Sequence, residues 1–285
     1  MKATVFLGGG RITSALIAGL RLAKYKLPIV VHDRHPEKLR HLKRRYGVVT
    51  ETNLEIAVES ARLLIVAVRP GSVFELLKRI EKIDFRRKLT IISLAAGIPL
   101  ERLENSLGSQ HRWARAMPSP VCRTGDGLTA LAFSRALQKK GRLEVHSLFA
   151  MVGSVIEIPE TQFDAFTVTF SSSHGYHALA ALIKASQSIG LDQKTARIAA
   201  AHALGDAITS WRSGDLPLNE LLNEAATPGG IAAAVMESLD RAGYQRIVEN
   251  GLRTGLDRAR KNAGIAPKTR ITLRKPRPQL QTAVR

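Results

Sequence analysis

The stretch that decides the fold is TVFLGGGRITSALIAGL, residues 4–20. It predicts a short apolar strand that runs through a glycine turn directly into a helix. Gly8 and Gly10 hold the first two positions of a G-x-G-x-x-G/A turn, and Thr13 stands at the third. In such a turn the first glycine permits the tight bend, and the second lets a pyrophosphate approach the backbone at the positive end of the helix. The stretch indicates a dinucleotide site, although an ordinary strand-to-helix turn can give the same pattern.

The composition is that of a globular protein. The chain has 285 residues, of which 45% are hydrophobic, and this length allows one large or two ordinary domains. A single cysteine, Cys122, fits a reducing compartment, and the N-terminus enters a strand pattern without room for a secretory signal. We therefore expect a cytoplasmic protein without a membrane span. No Cys/His cluster has metal-site spacing, and we expect no metal.

The net charge of +19 is high, and part of it lies in a C-terminal tail. Residues 261–285 contain seven Lys/Arg and no Asp/Glu. We predict that residues 263–285 form a basic, largely disordered tail. The charge is compatible with a nucleic-acid partner, an anionic small ligand or a basic proteome. Nucleic acid is the less favoured of these, because no aromatic residues interleave with the basic ones as in a single-strand groove.

The second predicted strand, residues 28–32, ends at Asp33-Arg34. An acidic residue at this position can accept the ribose hydroxyls of NAD, whereas a following arginine can hold the 2′-phosphate of NADP. The helix predicted at residues 36–46 is strongly basic, which raises the local positive field. NADP is therefore favoured, and NAD remains possible.

Strands and helices alternate up to about residue 158. Further strands are predicted at residues 48–50, 62–68, 89–94, 113–117, 127–132 and 154–158. This alternation predicts an α/β fold with a doubly wound parallel sheet, as the dinucleotide-binding domain of residues 1–158. Ligands bind such sheets at the carboxyl ends of the strands. Arg69-Pro70, residues 95–97 and Met117-Pro118 follow predicted strands and are expected there.

Residues 159–262 read as an all-helical domain. Helices are predicted at residues 176–189, 193–213, 218–224, 231–242 and 244–260. Several are alanine-rich on almost every side, and such helices need burial against more than one neighbour. We therefore hypothesise an obligate oligomer with intertwined helices.

Six motifs in order resemble the pyrroline-5-carboxylate reductase family, over residues 2–261. FLGGGRITSALIAGL is similar to the family's FIGAGNMASALIGGL, and AVRP and IISLAAGI to its AVKP and viSiaAGi. RAMPSPVCRTGDGLTAL is similar to RvMPNTPalvgeGmTAL, FDAFTVTFSSSHGY to mDavTalsGSGPAY, and AATPGGIAAAVMESL to VtSPGGTTiagLeeL. The resemblance implies an N-terminal Rossmann domain and a helical domain that interlocks in dimers, which assemble further, for example into a decamer.

The resemblance also implies hydride transfer from NADPH or NADH to a cyclic imine carboxylate, 1-pyrroline-5-carboxylate, to give L-proline. The nicotinamide is expected near Met117-Pro118. Together with Asp33 from the strand pattern, the expected cofactor-binding residues are Leu7, Gly8, Gly9, Gly10, Arg11, Ile12, Asp33, Arg34, Asn53, Ala67, Val68, Arg69, Pro70, Leu94, Ala95, Ala96 and Met117.

The chain departs from the family where the substrate is expected. Ser171, Ser173 and His174 replace residues of GSGPAY, in which Ser172 and Tyr176 are kept, and Ile231 and Ala232 replace the threonines of SPGGTT. Ser172, His174 and Tyr176 are the candidate catalytic residues. His174 can supply a proton, or it can simply contact solvent or a backbone carbonyl. The expected substrate-binding residues are Ser119, Glu224, Thr227, Gly229, Gly230, Ile231 and Ala232.

Three other functions stay open at this point. A paralogue with these changes would reduce another imine or a carbonyl compound. An inactive relative would bind nucleic acid through its basic surface or act in regulation. A β-hydroxyacid dehydrogenase shares the two-domain plan and depends on a central lysine, for which Lys184 is the candidate.

Overall fold

The computed structural model describes residues 2–83, 88–108 and 110–264. Its described strands form one sheet, and their limits agree with the sequence prediction to within about two residues. They are β1 Ala3–Leu7, β2 Ile29–His32, β3 Val49–Glu51, β4 Ala61–Val66, β5 Thr90–Ser93, β6 Arg112–Pro118, β7 Gly127–Phe133 and β8 Gly153–Glu157.

The strand order is β3-β2-β1-β4-β5-β6-β7-β8. From β1 the chain adds β2 and β3 on one side and then β4 and β5 on the other, so the direction of strand addition reverses between β1 and β4. A doubly wound sheet opens a ligand crevice at this point. The prediction of an all-parallel sheet is wrong at one pair, because β7 runs antiparallel to β6 and parallel to β8. Only residues 119–126 connect β6 to β7. A parallel crossover needs a longer connection, so this link must be a hairpin.

The first part of the chain places helices on both faces of the sheet. One core lies under the first, second and sixth helices, and the other under the third, fourth and fifth. The fifth was not predicted from the sequence. These helices are α1 Arg11–Leu22, α2 Pro36–Tyr46, α3 Leu54–Ser60, α4 Val73–Glu81, α5 Leu100–Leu107 and α6 Lys139–Ala150.

From residue 160 the described chain is helical, as predicted, with one additional helix at its start. The helices are α7 Glu160–Thr169, α8 Ser172–Ser188, α9 Gln193–Ser213, α10 Leu218–Ala225, α11 Ile231–Arg241 and α12 Tyr244–Asn262. No residue of α8, α10 or α11 is buried within the protomer. Tyr176, Ile189 and Ile231 are 72%, 84% and 88% exposed. Large apolar side chains exposed to this extent are typical of an association surface.

A buried arginine joins the helical part to the sheet. Arg115 of β6 is 1% exposed, and its Nη1 and Nη2 donate to Glu160 over 2.8 Å and to Asp164 over 2.6 Å. Its guanidinium also lies over the ring of Phe163, 4.1 Å from the centroid. Asp164 is therefore an ion-pair partner in the middle of α7.

The last helix returns to the sheet. Gly97, after β5, has φ +76°, and a Cβ there would lie 2.6 Å from the carbonyl oxygen of Ala259. Asn262 Nδ2 donates to the carbonyl of Ala96 over 3.4 Å. Ala263, the first residue of the predicted basic tail, is buried at the end of α12. Residues 265–285 of that tail lie outside the described residues.

Candidate active site

The glycine turn lies where β1 meets β2 and β4. Gly8 has φ +113°, and a Cβ on it would lie 2.7 Å from the carbonyl oxygen of Ala67. Its N–H donates to the carbonyl of His32 over 2.7 Å. A residue with a side chain would be strained at this φ and would collide with the backbone that follows β4. Glycine is required here by geometry.

Thr13 explains the imperfect third position of the glycine motif. Its side chain is buried, and its Oγ1 donates to the carbonyl of Gly8 over 2.6 Å. A glycine at this position usually serves close helix packing. Here a hydroxyl instead ties the first turn of α1 to the tight bend.

The N-terminus of α1 has the features of an anion-binding site. Gly10 is its N-cap residue, no side chain caps the helix, and its first turn contains no acidic residue. Nothing lies within 4 Å of a Cβ built on Gly10. The space beside Gly10 is therefore open, as the approach of a pyrophosphate to a helix N-terminus requires.

A cleft of about 880 Å³ opens at this turn. Most of the predicted cofactor residues line it: Leu7, Gly8, Gly9, Gly10, Arg11, Ile12, Asp33, Arg34, Ala67, Val68, Arg69 and Leu94. Seven further residues line the cleft and were not predicted from the sequence: His32, His35, Lys38, Ser72, Glu75, Leu76 and Arg79. His35 and Lys38 belong to the basic segment after Asp33, which offered a signal. Those on α4 follow no motif.

The acceptor positions of the Asp33 carboxylate are filled by hydrogen-bond donors of the protein. Its Oδ2 accepts from the N–H of Gly9 over 2.8 Å and from Lys38 Nζ over 3.4 Å. Its Oδ1 accepts from the N–H of His35 over 2.8 Å and lies 2.8 Å from the Nδ1 of the same histidine. Burial alone would raise the pKa of Asp33, but these hydrogen bonds and the charge of Lys38 lower it to about 2. The carboxylate therefore stays ionised, and four contacts fill its acceptor positions. This geometry opposes the expected role of Asp33 as an acceptor for ribose hydroxyls.

Positive charge surrounds this saturated aspartate. Arg34 and Lys38 line the cleft beside it, and Arg11, Arg69 and Arg79 line other parts of its wall. His32 is buried, its pKa is lowered chiefly by that burial, and its Nδ1 lies 3.0 Å from the carbonyl oxygen of Glu51. The described lining has two carboxylates, that of Asp33, whose acceptor positions are filled by protein donors, and that of Glu75. Because basic residues outnumber them, the cleft suits a ligand that carries several negative charges.

Five residues expected at the cofactor do not line this cleft. Asn53 caps α3, where its Oδ1 accepts from the N–H groups of Glu55 and Ile56 over 2.8 and 3.2 Å. Pro70 begins the 3₁₀ turn Pro70–Ser72. Ala95 is buried, and the Ala96 carbonyl accepts from Asn262. Met117 packs, half-buried, against the core under α4 and α5.

The expected catalytic residues lie at the start of α8, away from the cleft lining. Ser172, His174 and Tyr176 are all exposed. The Nε2 of His174 lies 2.6 Å from the carbonyl oxygen of Val168 and must carry the proton that it donates there. The backbone-carbonyl contact is thus one of the two roles considered for His174.

The expected substrate loop precedes α11 and is also exposed. Gly229 has φ +75°, and the N–H of Gly230 donates to the carbonyl of Thr227 over 2.8 Å. Gly230 is the N-cap residue of α11, so Ile231 and Ala232 begin its first turn. Glu224 is exposed on α10.

Ser119 occupies a different place, at the end of β6. Ser119 is half-buried, and its Oγ accepts from the N–H of Val121 over 3.1 Å. Neither Ser119 nor the loop before α11 lines the cofactor cleft within the protomer. Among the described residues, no group of three His, Cys, Asp or Glu is placed to hold a metal ion. None of the described helices is long and apolar enough to cross a membrane.

Two family models match the chain in order. Residues 4–97 match the model described as NADP oxidoreductase coenzyme F420-dependent. Residues 160–262 match the model described as pyrroline-5-carboxylate reductase dimerisation. The first contains the glycine turn and the cleft, and the second contains the exposed helices.

Individual relatives agree along nearly the whole chain. The pyrroline-5-carboxylate reductase of Mycobacterium leprae is 29% identical over 273 residues, covering 87% of this chain and 92% of the relative. A solved pyrroline-5-carboxylate reductase from Coxiella burnetii is 24% identical with a TM-score of 0.81, over 94% of this chain and 99% of that one. The Plasmodium falciparum pyrroline carboxylate reductase, solved with NADP bound, is 20% identical with a TM-score of 0.80, over 92% and 98%.

A glycine-turn Rossmann domain with a basic cleft, followed by a helical association domain, defines an NAD(P)-dependent oxidoreductase of two domains. The order and coverage of the matches narrow this class. Along nearly its whole length the chain is similar to pyrroline-5-carboxylate reductases, and its helical part matches their dimerisation model. Its helical domain is of the dimerisation type, so the protein is a homo-oligomer.

Proposed function

We propose that this protein reduces 1-pyrroline-5-carboxylate to L-proline with NADPH. The observation that carries the proposal is the cleft at the glycine turn. Gly8 permits the tight bend, Gly10 leaves room for a pyrophosphate, and basic residues surround the fully hydrogen-bonded Asp33. Relatives that align over nine-tenths of their own length are named for this reaction.

The reaction asks little of the side chains. When bound at this cleft, a reduced nicotinamide would supply the hydride for the carbon of the imine C=N bond, and the nitrogen would end with a proton. An imine that is already protonated is electrophilic, so the protein mainly supplies proximity and complementary charge. The backbone N–H groups at the start of α1 hold the pyrophosphate in this proposal, and Arg34 and Lys38 meet the 2′-phosphate.

We assign the substrate carboxylate to the turn before α11. Gly230 is the N-cap residue of that helix, no side chain caps it, and no acidic residue lies in its first turn. Ser119, Glu224, Thr227, Ile231 and Ala232 complete the proposed substrate-binding set. An anion is favoured at such a helix N-terminus.

The proposed proton donor is His174. Because its Nε2–H is held by the Val168 carbonyl, its Nδ1 is the nitrogen left to carry and release a proton. Ser172 and Tyr176 lie on the same first turns of α8 and are proposed as catalytic residues beside His174.

Association completes the site in this account. The start of α8 and the start of α11 are exposed in the protomer, and both belong to the association surface. We propose a homodimer through residues 159–262, with dimers assembling further, for example into a decamer. Cys122 is buried, which raises the pKa of its thiol to about 12, and such an unreactive thiol fits the cytoplasmic location that we propose.

A second candidate is a related enzyme for a different cyclic imine. Ile231 and Ala232 stand where the family resemblance expects two threonines, and Ile231 is 88% exposed. An apolar rim at the carboxylate turn would favour a substrate with more apolar surface. Both candidates are tested by following NADPH and NADH oxidation with a panel of cyclic imines. The first predicts the highest kcat/KM for 1-pyrroline-5-carboxylate, and a larger or uncharged imine at the top of the panel supports the second.

A further inference from the structure

Arg79 on α4 lies across the cofactor cleft from the basic segment that follows β2. The α2 and α4 helices pack on opposite faces of the sheet, because Leu39 and Leu42 belong to one core and Leu76 and Leu77 to the other. Residues from both helices nevertheless line the same cleft. The cleft therefore has two walls at this end.

Arg79 lies at the adenosine end of the cleft. It also lines a smaller adjoining pocket of about 490 Å³, with Thr52, Asn53, Leu54 and Glu55, which follow β3. The pKa of His32 in β2 is lowered chiefly by burial and further by the charge of Arg79. The guanidinium therefore lies within electrostatic reach of β2. In a doubly wound sheet the end of β2 faces the ribose of the adenosine.

The guanidinium of Arg79 is available to a ligand. No carboxylate of the described residues lies within ion-pair distance of it, and its side chain is exposed. Lys38 on the other wall shares the carboxylate of Asp33 at a longer distance of 3.4 Å. Because Asp33 already accepts four contacts, the lining beside Arg34 and Lys38 offers donors and no free carboxylate of Asp33.

We propose that Arg79 is a specificity-determining residue that binds the 2′-phosphate of NADP from the α4 wall, opposite Arg34 and Lys38. This inference rests on the proposed function only for the identity of the cofactor. A planar guanidinium can meet a phosphate with two parallel hydrogen bonds, which is the geometry that separates a 2′-phosphate from a 2′-hydroxyl. The adjoining pocket gives the long side chain space to turn toward the ligand.

The test is calorimetric titration of the full chain with adenosine 2′,5′-bisphosphate and adenosine 5′-monophosphate, which differ only in the 2′-phosphate. Arg79→Gln should weaken the bisphosphate about tenfold or more and the monophosphate less than about twofold. Arg79→Lys should recover part of the loss. Lys78→Gln removes the same charge from an exposed neighbour that does not line the cleft, and should change neither affinity.

Equal weakening of both nucleotides by Arg79→Gln, or no weakening of either, overturns the proposal. So does a wild-type protein that does not prefer the bisphosphate. The circular dichroism spectrum and Tm of each variant establish that it is folded. A wild type that binds the bisphosphate through Arg79 but reduces no imine refutes the proposed function and leaves this inference standing.

Discussion

The backbone N–H of Gly9 donates a hydrogen bond to Oδ2 of Asp33 over 2.8 Å. This bond ties the glycine turn after β1 to the end of β2, and Asp33 extends the tie to the start of α2 through the N–H of His35. Asp33 thus braces the two loops that form the adenosine end of the cleft. The charge of Asp33 therefore stabilises the fold, and its carboxylate oxygens are not free to accept from a ribose.

Asp33 should give stability a dependence on pH at the acid end. Its folded pKa of about 2 lies below the ordinary 3.8, so its contribution is complete above pH 4 and is lost as the pH falls toward 2. The lost contribution amounts to about 2 kcal/mol. Asp33→Asn should lower the free energy of unfolding at neutral pH by a similar amount and flatten this part of the profile, measured by urea denaturation. Asp126→Asn, in an exposed loop, is the matched control, and an equal effect of both would refute the brace.

Two glycines of the turn should separate folding from binding. Gly8→Ala places a Cβ 2.7 Å from a carbonyl oxygen at φ +113°, and we expect a loss of about 1–3 kcal/mol of stability. Gly10→Ala finds no protein atom within 4 Å, so stability should be kept while NADPH affinity falls at least about tenfold. Thermal unfolding and fluorescence titration measure the two effects. Normal NADPH binding by a stable Gly10→Ala protein would contradict the proposed pyrophosphate position.

Arg115 should matter more for folding than its distance from the cleft suggests. Arg115→Ala leaves Glu160 and Asp164 without their cation, and losing one partner of a buried pair costs about 3 kcal/mol. Arg115→Lys should recover only part of this, because it cannot reach both carboxylates in one plane. Arg62→Ala, which breaks an exposed ion pair with Glu144, should cost less than about 1 kcal/mol. Equal costs in denaturant unfolding would show that the buried cluster does not join the two parts of the chain.

His174 can be separated from its structural contact with Val168 by the pH dependence of kcat. If its Nδ1 donates the proton, His174→Ala should lower kcat by about 10²–10⁴-fold and remove the decline of rate with rising pH. His177→Ala, at a neighbouring exposed position on α8, is the control. A profile of unchanged shape in His174→Ala would leave the histidine with its backbone contact alone.

The strand pattern and the glycine turn were predictable because both depend on local chemistry. Apolar runs of β-branched residues fix buried strands, and Gly8 is required by its own φ. The antiparallel direction of β7 was missed because it depends on the length of the connection after β6. The residues of β7 themselves do not indicate the direction of the strand. The α5 and α7 helices, which follow Pro99 and Pro159, were not predicted.

The cofactor site was only partly predictable, since its donors come from separate elements. Asp33 and Arg34 are adjacent in sequence, and their pattern suggested opposite cofactors. The conflict is resolved by contacts to Gly9, His35 and Lys38 that exist only after folding. Arg79 follows no motif and enters the cleft because α4 packs on the opposite face from α2. The expected substrate residues lie on faces that the protomer leaves exposed, where one chain alone cannot form a closed site.

The most direct test of the account is product formation from 1-pyrroline-5-carboxylate with NADPH and the purified oligomer. We predict one L-proline formed for each NADPH oxidised, identified by chiral chromatography, with a higher kcat/KM for NADPH than for NADH. Absence of proline under conditions in which the protein binds NADPH and remains oligomeric would contradict the proposed reaction.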